Sequence, residues 1–182
     1  MAGKILLIIF IVITGAGLPL MSGANKAEVG ATAPPFHVEA GDGRMLTLDM
    51  LKGKVVALLY ETRGVVKKNE RLKQELEKFH YDQPDSVKKE LIRLPIINCS
   101  SSPRPLRRIW QHKLREYSDS RGLVIYGDWD ATMLNDYGFK NNESNFIIID
   151  KKGIVRYSAI GKVEKERCED ILRLLGRLLR EH

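Results

Sequence analysis

Two cysteines, Cys99 and Cys168, are the most reactive side chains in the sequence. Two thiols are too few for a disulfide scaffold or a structural four-thiolate metal site. Cys99 follows the run Leu94-Pro95-Ile96-Ile97-Asn98 and precedes Ser100-Ser101-Ser102-Pro103, whose serines and early proline read as the start of a helix. A helix start favours a thiolate, the form that attacks disulfides and peroxides. The other reading is a half-buried, inert thiol, the usual state of a free cysteine. Arg63, Lys67, Lys68 and Asn69 gather at the head of an amphipathic segment, where an anion would also find free helix N–H groups. The same residues also suit an ordinary solvated helix start. The densest charge lies further on, at Arg104, Arg107, Arg108, Lys113 and Arg115, with Trp110 and His112 among them. Such a surface fits anionic lipid, cell-wall polymer or an acidic protein, or serves only as a solvated face. The four histidines are dispersed without metal-ligand spacing, and no phosphate-binding glycine loop is present. No metal and no cofactor are expected.

The elements that must position these residues follow from periodicity. Phe36-His37-Val38-Glu39 and Met45-Leu46-Thr47-Leu48 alternate around Gly41-Asp42-Gly43, which makes a small hairpin. Val55 to Tyr60 is a continuous apolar run, suited to a strand buried on both faces. From Val65 to Phe79 apolar residues recur at three and four, which predicts a helix. Leu94–Asn98 reads as a second strand, with Pro95 tolerable near its start or on an edge. A helix over 105–117 should turn Leu106, Ile109, Trp110 and Leu114 inward. Leu123–Tyr126 reads as a short strand, and Asp128 or Asp130 caps a helix through Tyr137. Asn145–Asp150 and Gly153–Ser158 form a tight hairpin, and Val163–Arg180 closes the chain as an amphipathic helix. Strands alternating with helices, then a hairpin and a helix, define one α/β domain.

The chain has 182 residues, 43% apolar and 29% charged, with a net charge of +7. This describes a globular protein, and excludes a wholly disordered chain or a polytopic membrane protein. Lys4, the apolar run from Ile5 to Ile13 and the small residues Ser22-Gly23-Ala24 read as a secretory signal peptide over 1–24. An uncleaved anchor is the rival reading, since Ile5 to Met21 carries no charge. Either way the domain is expected in the periplasm or otherwise outside the cytoplasm, away from nucleic acid. It meets the membrane only transiently, through the signal. Residues 25–29 then form a linker, and 30–182 the domain.

The residues Gly30 to Phe36, with their paired prolines, resemble the start of a thioredoxin-like domain of the peroxiredoxin and TlpA type. So do Leu51-Lys52-Gly53-Lys54-Val55-Val56, Asp136-Tyr137-Gly138, and the hairpin from Phe146 through Gly153. Arg63 with Lys68-Asn69, and the Asn98 loop leading into the Trp110 helix, are similar to the small YtfJ-type group of exported proteins. The resemblance implies a three-layer fold, a central mixed sheet between helices with an N-terminal β-hairpin. Active members carry Cys-x-x-Cys just after the first buried strand. The matching positions here are Val65 and Lys68, and no cysteine lies between Tyr60 and Glu70. Ser144 stands where those members place a cis-proline, and it joins the candidate binding residues.

Within such a fold Cys99 falls at the carboxyl end of a parallel strand, where α/β sites gather. Cys168 would lie at the same end, but on strands at the opposite edge, so no bridge is expected. The resulting expectation is a binding module of the cell envelope, for a small anionic ligand or an envelope protein. The alternative is an atypical thiol oxidoreductase or peroxidase using Cys99.

Overall fold

The computed structural model describes residues 27–181, so the expected export segment lies outside the described residues. Seven strands form one sheet: β1 (His37–Ala40), β2 (Met45–Thr47), β3 (Val55–Glu61), β4 (Leu91–Asn98), β5 (Tyr126–Asp128), β6 (Asn145–Ile149) and β7 (Val155–Ile160). Their order is β2-β1-β5-β4-β3-β6-β7. Strands β3, β4 and β5 run parallel, and the remaining pairs are antiparallel. The helices are α1 (Glu70–Tyr81), α2 (Asp85–Lys88), α3 (Arg107–Arg121), α4 (Thr132–Asp136) and α5 (Lys165–Arg180).

The period of two in β3 separates the layers. Val55, Ala57 and Leu59 join Phe146 and Ile148 under α1 and α5, packed on Leu72, Leu76, Ile171 and Leu175. Val56, Leu58 and Tyr60 join Ile147 and Ile149 on the other face, against Phe36, Met133 and Tyr137. Because β3-α1-β4 and β4-α3-β5 step the same way across the sheet, right-handed crossovers put α1 and α3 on one face. The expected three-layer, mixed-sheet architecture is therefore the one observed.

Four local expectations shift. The first long helix starts at Glu70 rather than Val65, with a 3-10 turn over Arg63–Val65 before it. Asn69 turns its side chain into the protein instead of continuing the helix. Pro95 lies inside β4, not near its start; β5 pairs only from Ile96 onward, so the proline sits where that side of β4 has no partner. Strand β5 begins at Tyr126, after Leu123–Ile125, because the Ile125 N–H donates to Ser118 Oγ in α3 rather than to a ladder.

The fourth shift is the face of α3. Leu114 is buried as expected, but Leu106 is 44% exposed and Ile109 52%. The helix rests on the β1–β2 turn through the backbone of Gln111 and Arg115. A Cβ at Gly41 would lie 2.4 Å from Arg115 N and Gln111 O, so only glycine permits this approach.

Candidate functional site

The carboxyl ends of the three parallel strands come together at one edge of the sheet: Glu61-Thr62-Arg63, Asn98-Cys99-Ser100 and Asp128-Trp129-Asp130. The first feature at this edge is a buried polar chain. Asn69, 2% exposed, donates through Nδ2 to Ser144 Oγ and to Gly161 O, both at 2.8 Å. Its Oδ1 accepts the Val163 N–H at 2.8 Å. Ser144 Oγ in turn donates to Glu61 Oε1 at 2.7 Å, and Lys73 Nζ donates to Glu61 Oε2 at 2.7 Å and to Val66 O.

One connected network thus ties the loop before α1 to the start of β6 and the loop before α5. Each buried polar atom in it has a partner, which is the condition for such a network to stabilise. Asn69 and Ser144, read from sequence as candidate ligand contacts, are instead turned inward and engaged with the protein. Glu61 and Lys73 were not singled out by sequence. The available signal was an acidic residue ending an otherwise apolar buried strand.

The second feature is a two-lobed cleft beside this network. One lobe of about 390 Å³ is lined by Arg63, Asn98, Ser101 and Asn141, among others. The other, about 480 Å³, is lined by Val66, Ile97, Lys113 and Tyr117, among others. Arg63, Cys99 and Trp110 line both. The Arg63 guanidinium lies 4.6 Å from the Trp110 ring centroid, and Lys113 Nζ lies 5.2 Å from it. A cation over an indole face is held by the ring quadrupole while its outer side stays open to an anion. Asn98 Oδ1 accepts from the Ser100 N–H (3.0 Å) and hydroxyl (2.7 Å), which fixes the loop that forms one wall.

Cys99 closes the base of this cleft and is 7% exposed. Burial, and then the Asp128 carboxyl, push its thiol up to about 12, although Arg63 and Arg107 pull the other way. The expected helix start is not at Cys99, because α3 opens only at Arg107, after a 3-10 turn over Arg104–Leu106. Cys168 lies on the buried face of α5, in a different cluster, and both cysteines are free. Burial raises the Cys168 thiol as well.

Beneath Cys99, Tyr60 OH donates to Asp128 Oδ2 at 2.8 Å, and the Leu134 N–H reaches the same oxygen at 3.2 Å. Asp130 Oδ1 accepts the Thr132 N–H at 3.0 Å, so both aspartates hold the first turn of α4, as the capping reading expected. Asp128 Oδ1 is sealed without a partner among the described residues. Burial raises the Asp128 carboxyl above its ordinary value and the Asp130 carboxyl adds to the rise, against the Tyr60 and Leu134 donors. A carboxyl raised on folding stabilises the fold below its unfolded value of about 3.9, and that contribution fades as pH climbs through the native value. Asp128→Asn should therefore gain stability relative to wild type as pH rises from about 4 to 7. Its amide oxygen keeps both donors, and its Nδ2 carries no charge to desolvate and lies beside the Asp130 carboxyl, an acceptor. Urea melts across that range test this; a variant that loses ground to wild type with rising pH would refute it.

Of the remaining sequence candidates, Lys68 pairs with Glu143, and Lys67 is exposed. In the basic group on α3, Arg107 is taken up internally by Glu39 (2.6 Å) and by Trp129, whose ring centroid is 4.9 Å away. Arg108 and Arg115 stay exposed, as does Lys113. Among the described residues no group of three or more His, Cys, Asp or Glu side chains could hold a metal ion.

No protein-family model matches the chain, and no curated protein sequence does. Solved structures do. The thiol-disulfide isomerase from Corynebacterium glutamicum matches with a TM-score of 0.61 at 19% identity, over 84% of this chain and 98% of that one. The exposed lipoprotein thioredoxin of Streptococcus pneumoniae matches at 0.55 and 20%, over 80% and 100%. A thiol peroxidase from Chromobacterium violaceum matches at 0.59 and 13%, over 84% and 90%. At such identities the likeness establishes a shared fold. The fold of this chain is thioredoxin-like.

Proposed function

We propose that this chain is an exported thioredoxin-fold protein that binds a small anionic ligand in the Arg63–Trp110 cleft without thiol–disulfide exchange. The observation that carries the reading is the Asn69–Ser144–Glu61–Lys73 network, which engages Ser144, the position that the resemblance assigns to the cis-proline, and adjoins Lys68, the position it assigns to the second cysteine. Arg63 over Trp110 supplies the charge and the flat surface that a small anion would use at that edge of the sheet. The Lys4-to-Ala24 segment supports export, as does the likeness to an exposed lipoprotein thioredoxin. We also carry the YtfJ-type likeness of Arg63, Lys68 and Asn69 as part of this proposal.

A second reading, thiol chemistry at Cys99, has its own support. The structural likenesses include a thiol-disulfide isomerase and a thiol peroxidase, which favour it over a silent thiol. Cys99 also lines both lobes of the cleft, beside Arg63. Burial of the thiol weighs against it.

The binding reading predicts a saturable shift of the Trp110 indole resonance when inorganic phosphate or phenyl phosphate is added at millimolar concentration. Arg63→Glu should weaken that binding at least about tenfold, since it replaces attraction by repulsion. Absence of any saturable shift with both anions, or an unchanged response in Arg63→Glu, would overturn the reading.

A further inference from the structure

The face of the sheet under α1 and α3 holds a second cavity, which shares Val66, Ile97 and Tyr117 with the larger lobe of the Arg63–Trp110 cleft. It lies above β3 and β4, where the two helices stand apart, and encloses about 110 Å³. Its floor is aliphatic, built from Ala57, Leu59, Leu76, Ile97 and Ile125, while Gln74, Tyr117 and charged side chains form its rim. Three ion pairs border it: Glu61–Lys73 at 2.7 Å, Glu70–Arg121 at 3.1 Å and Glu77–Arg93 at 3.8 Å. Every acid at this rim meets a base, so the border offers no net charge to select an ion.

One polar atom at the rim is unmatched. Glu70 Oε1 accepts from Arg121, but Glu70 Oε2 is sealed from solvent and has no hydrogen-bond partner among the described residues. Sealed acceptors of this kind are uncommon, and a bound donor is one of the few ways to satisfy them. An apolar body bearing one donor matches both features.

We propose that this cavity is a binding site for a small neutral molecule with a compact aliphatic body and one hydroxyl, a short branched or cyclic alcohol. The hydroxyl donates to Glu70 Oε2, and the body packs on Ala57, Leu59 and Ile97. Size sets the upper bound: an apolar void of about 150 Å³ is known to take benzene, so this one takes about four or five heavy atoms. The site adjoins the Arg63–Trp110 cleft, and neutral probes keep its test apart from what that cleft binds.

The experiment titrates the purified full chain with cyclobutanol and, separately, cyclopentane, each of five heavy atoms, while following Leu and Ile methyl resonances. Saturable shifts are expected at Leu59, Leu76 and Ile125, which do not line the Arg63–Trp110 cleft, with cyclobutanol binding at least about tenfold tighter than cyclopentane. Ala57→Leu, which fills the void, should abolish the shifts. Glu70→Ala, at a partly exposed position, should bring cyclobutanol down to the affinity of cyclopentane, and it keeps the test decisive if Ala57→Leu does not fold. No saturable shift with either compound, shifts confined to residues around Cys99, or equal affinity for the two compounds would overturn the proposal.

Discussion

Replacing Asn69 by leucine is expected to lower stability by about 3–5 kcal/mol, far more than its single side chain suggests. Leucine is of similar size, so packing changes little. What changes is hydrogen bonding: the Val163 N–H, the Gly161 carbonyl and Ser144 Oγ each lose a partner inside the protein. A buried group left unmatched costs about 1–3 kcal/mol; Ser144 Oγ keeps its bond to Glu61 and the Gly161 carbonyl is only part-buried, so the total falls short of three full penalties. The melting midpoint should drop by about 10 °C for a domain of this size. Asn69→Asp separates chemistry from shape. It keeps the volume but turns an acceptor towards Ser144 Oγ and Gly161 O, so it too should destabilise, while Ser144→Ala should cost less, about 1–2 kcal/mol. An Asn69→Leu protein within about 0.5 kcal/mol of wild type in urea melts would mean that the network is incidental. Because Asn69 anchors the segment that carries Arg63, the same variant should also weaken anion binding in the cleft.

Much of the fold was legible because periodicity reports burial. The run Val55–Tyr60 is buried along its whole length, and the Asp150–Gly153 turn joins β6 to β7 as its composition indicates. What failed to read were features decided by side chains reaching across the chain. The start of α1 depends on Asn69 bonding to Gly161 and Val163, more than ninety residues on. The face of α3 depends on a glycine in the β1–β2 turn, so local apolar spacing at Leu106 and Ile109 pointed to the wrong stripe. The site divides the same way. Arg63 and Cys99 were visible as reactive types beside strand ends. Glu61, Lys73 and the Asp128–Tyr60 pair were not, since only the folded sheet brings them under that edge. Two binding candidates, Asn69 and Ser144, have their side chains engaged within the protein, which the sequence had no means to show.

Cys99 is expected to react with iodoacetamide at pH 8 about fifty-fold more slowly than free cysteine, before any obstruction by the protein. The magnitude comes from two opposing effects. A thiol raised to about 12 is about one part in ten thousand thiolate at that pH, against about a quarter for an ordinary thiol near 8.5. That is a loss of about two thousand-fold. A more basic thiolate is also a better nucleophile, which returns a factor of about forty. The thiolate population wins, and burial at 7% exposure slows the reaction further. Peptide mapping by mass spectrometry separates Cys99 from Cys168, which is also buried and also raised, and so is expected to be slow. Unfolding in urea should restore both to ordinary rates, which shows that the fold is the cause. With so little thiolate the folded protein should turn over neither insulin disulfides nor hydrogen peroxide. Fast labelling of Cys99 in the folded state, or turnover abolished by Cys99→Ser, would instead mean that Arg63 and Arg107 stabilise the thiolate more than burial opposes it. The cleft would then be a thiol active site, with Arg63 beside the reacting sulfur instead of an anion receptor.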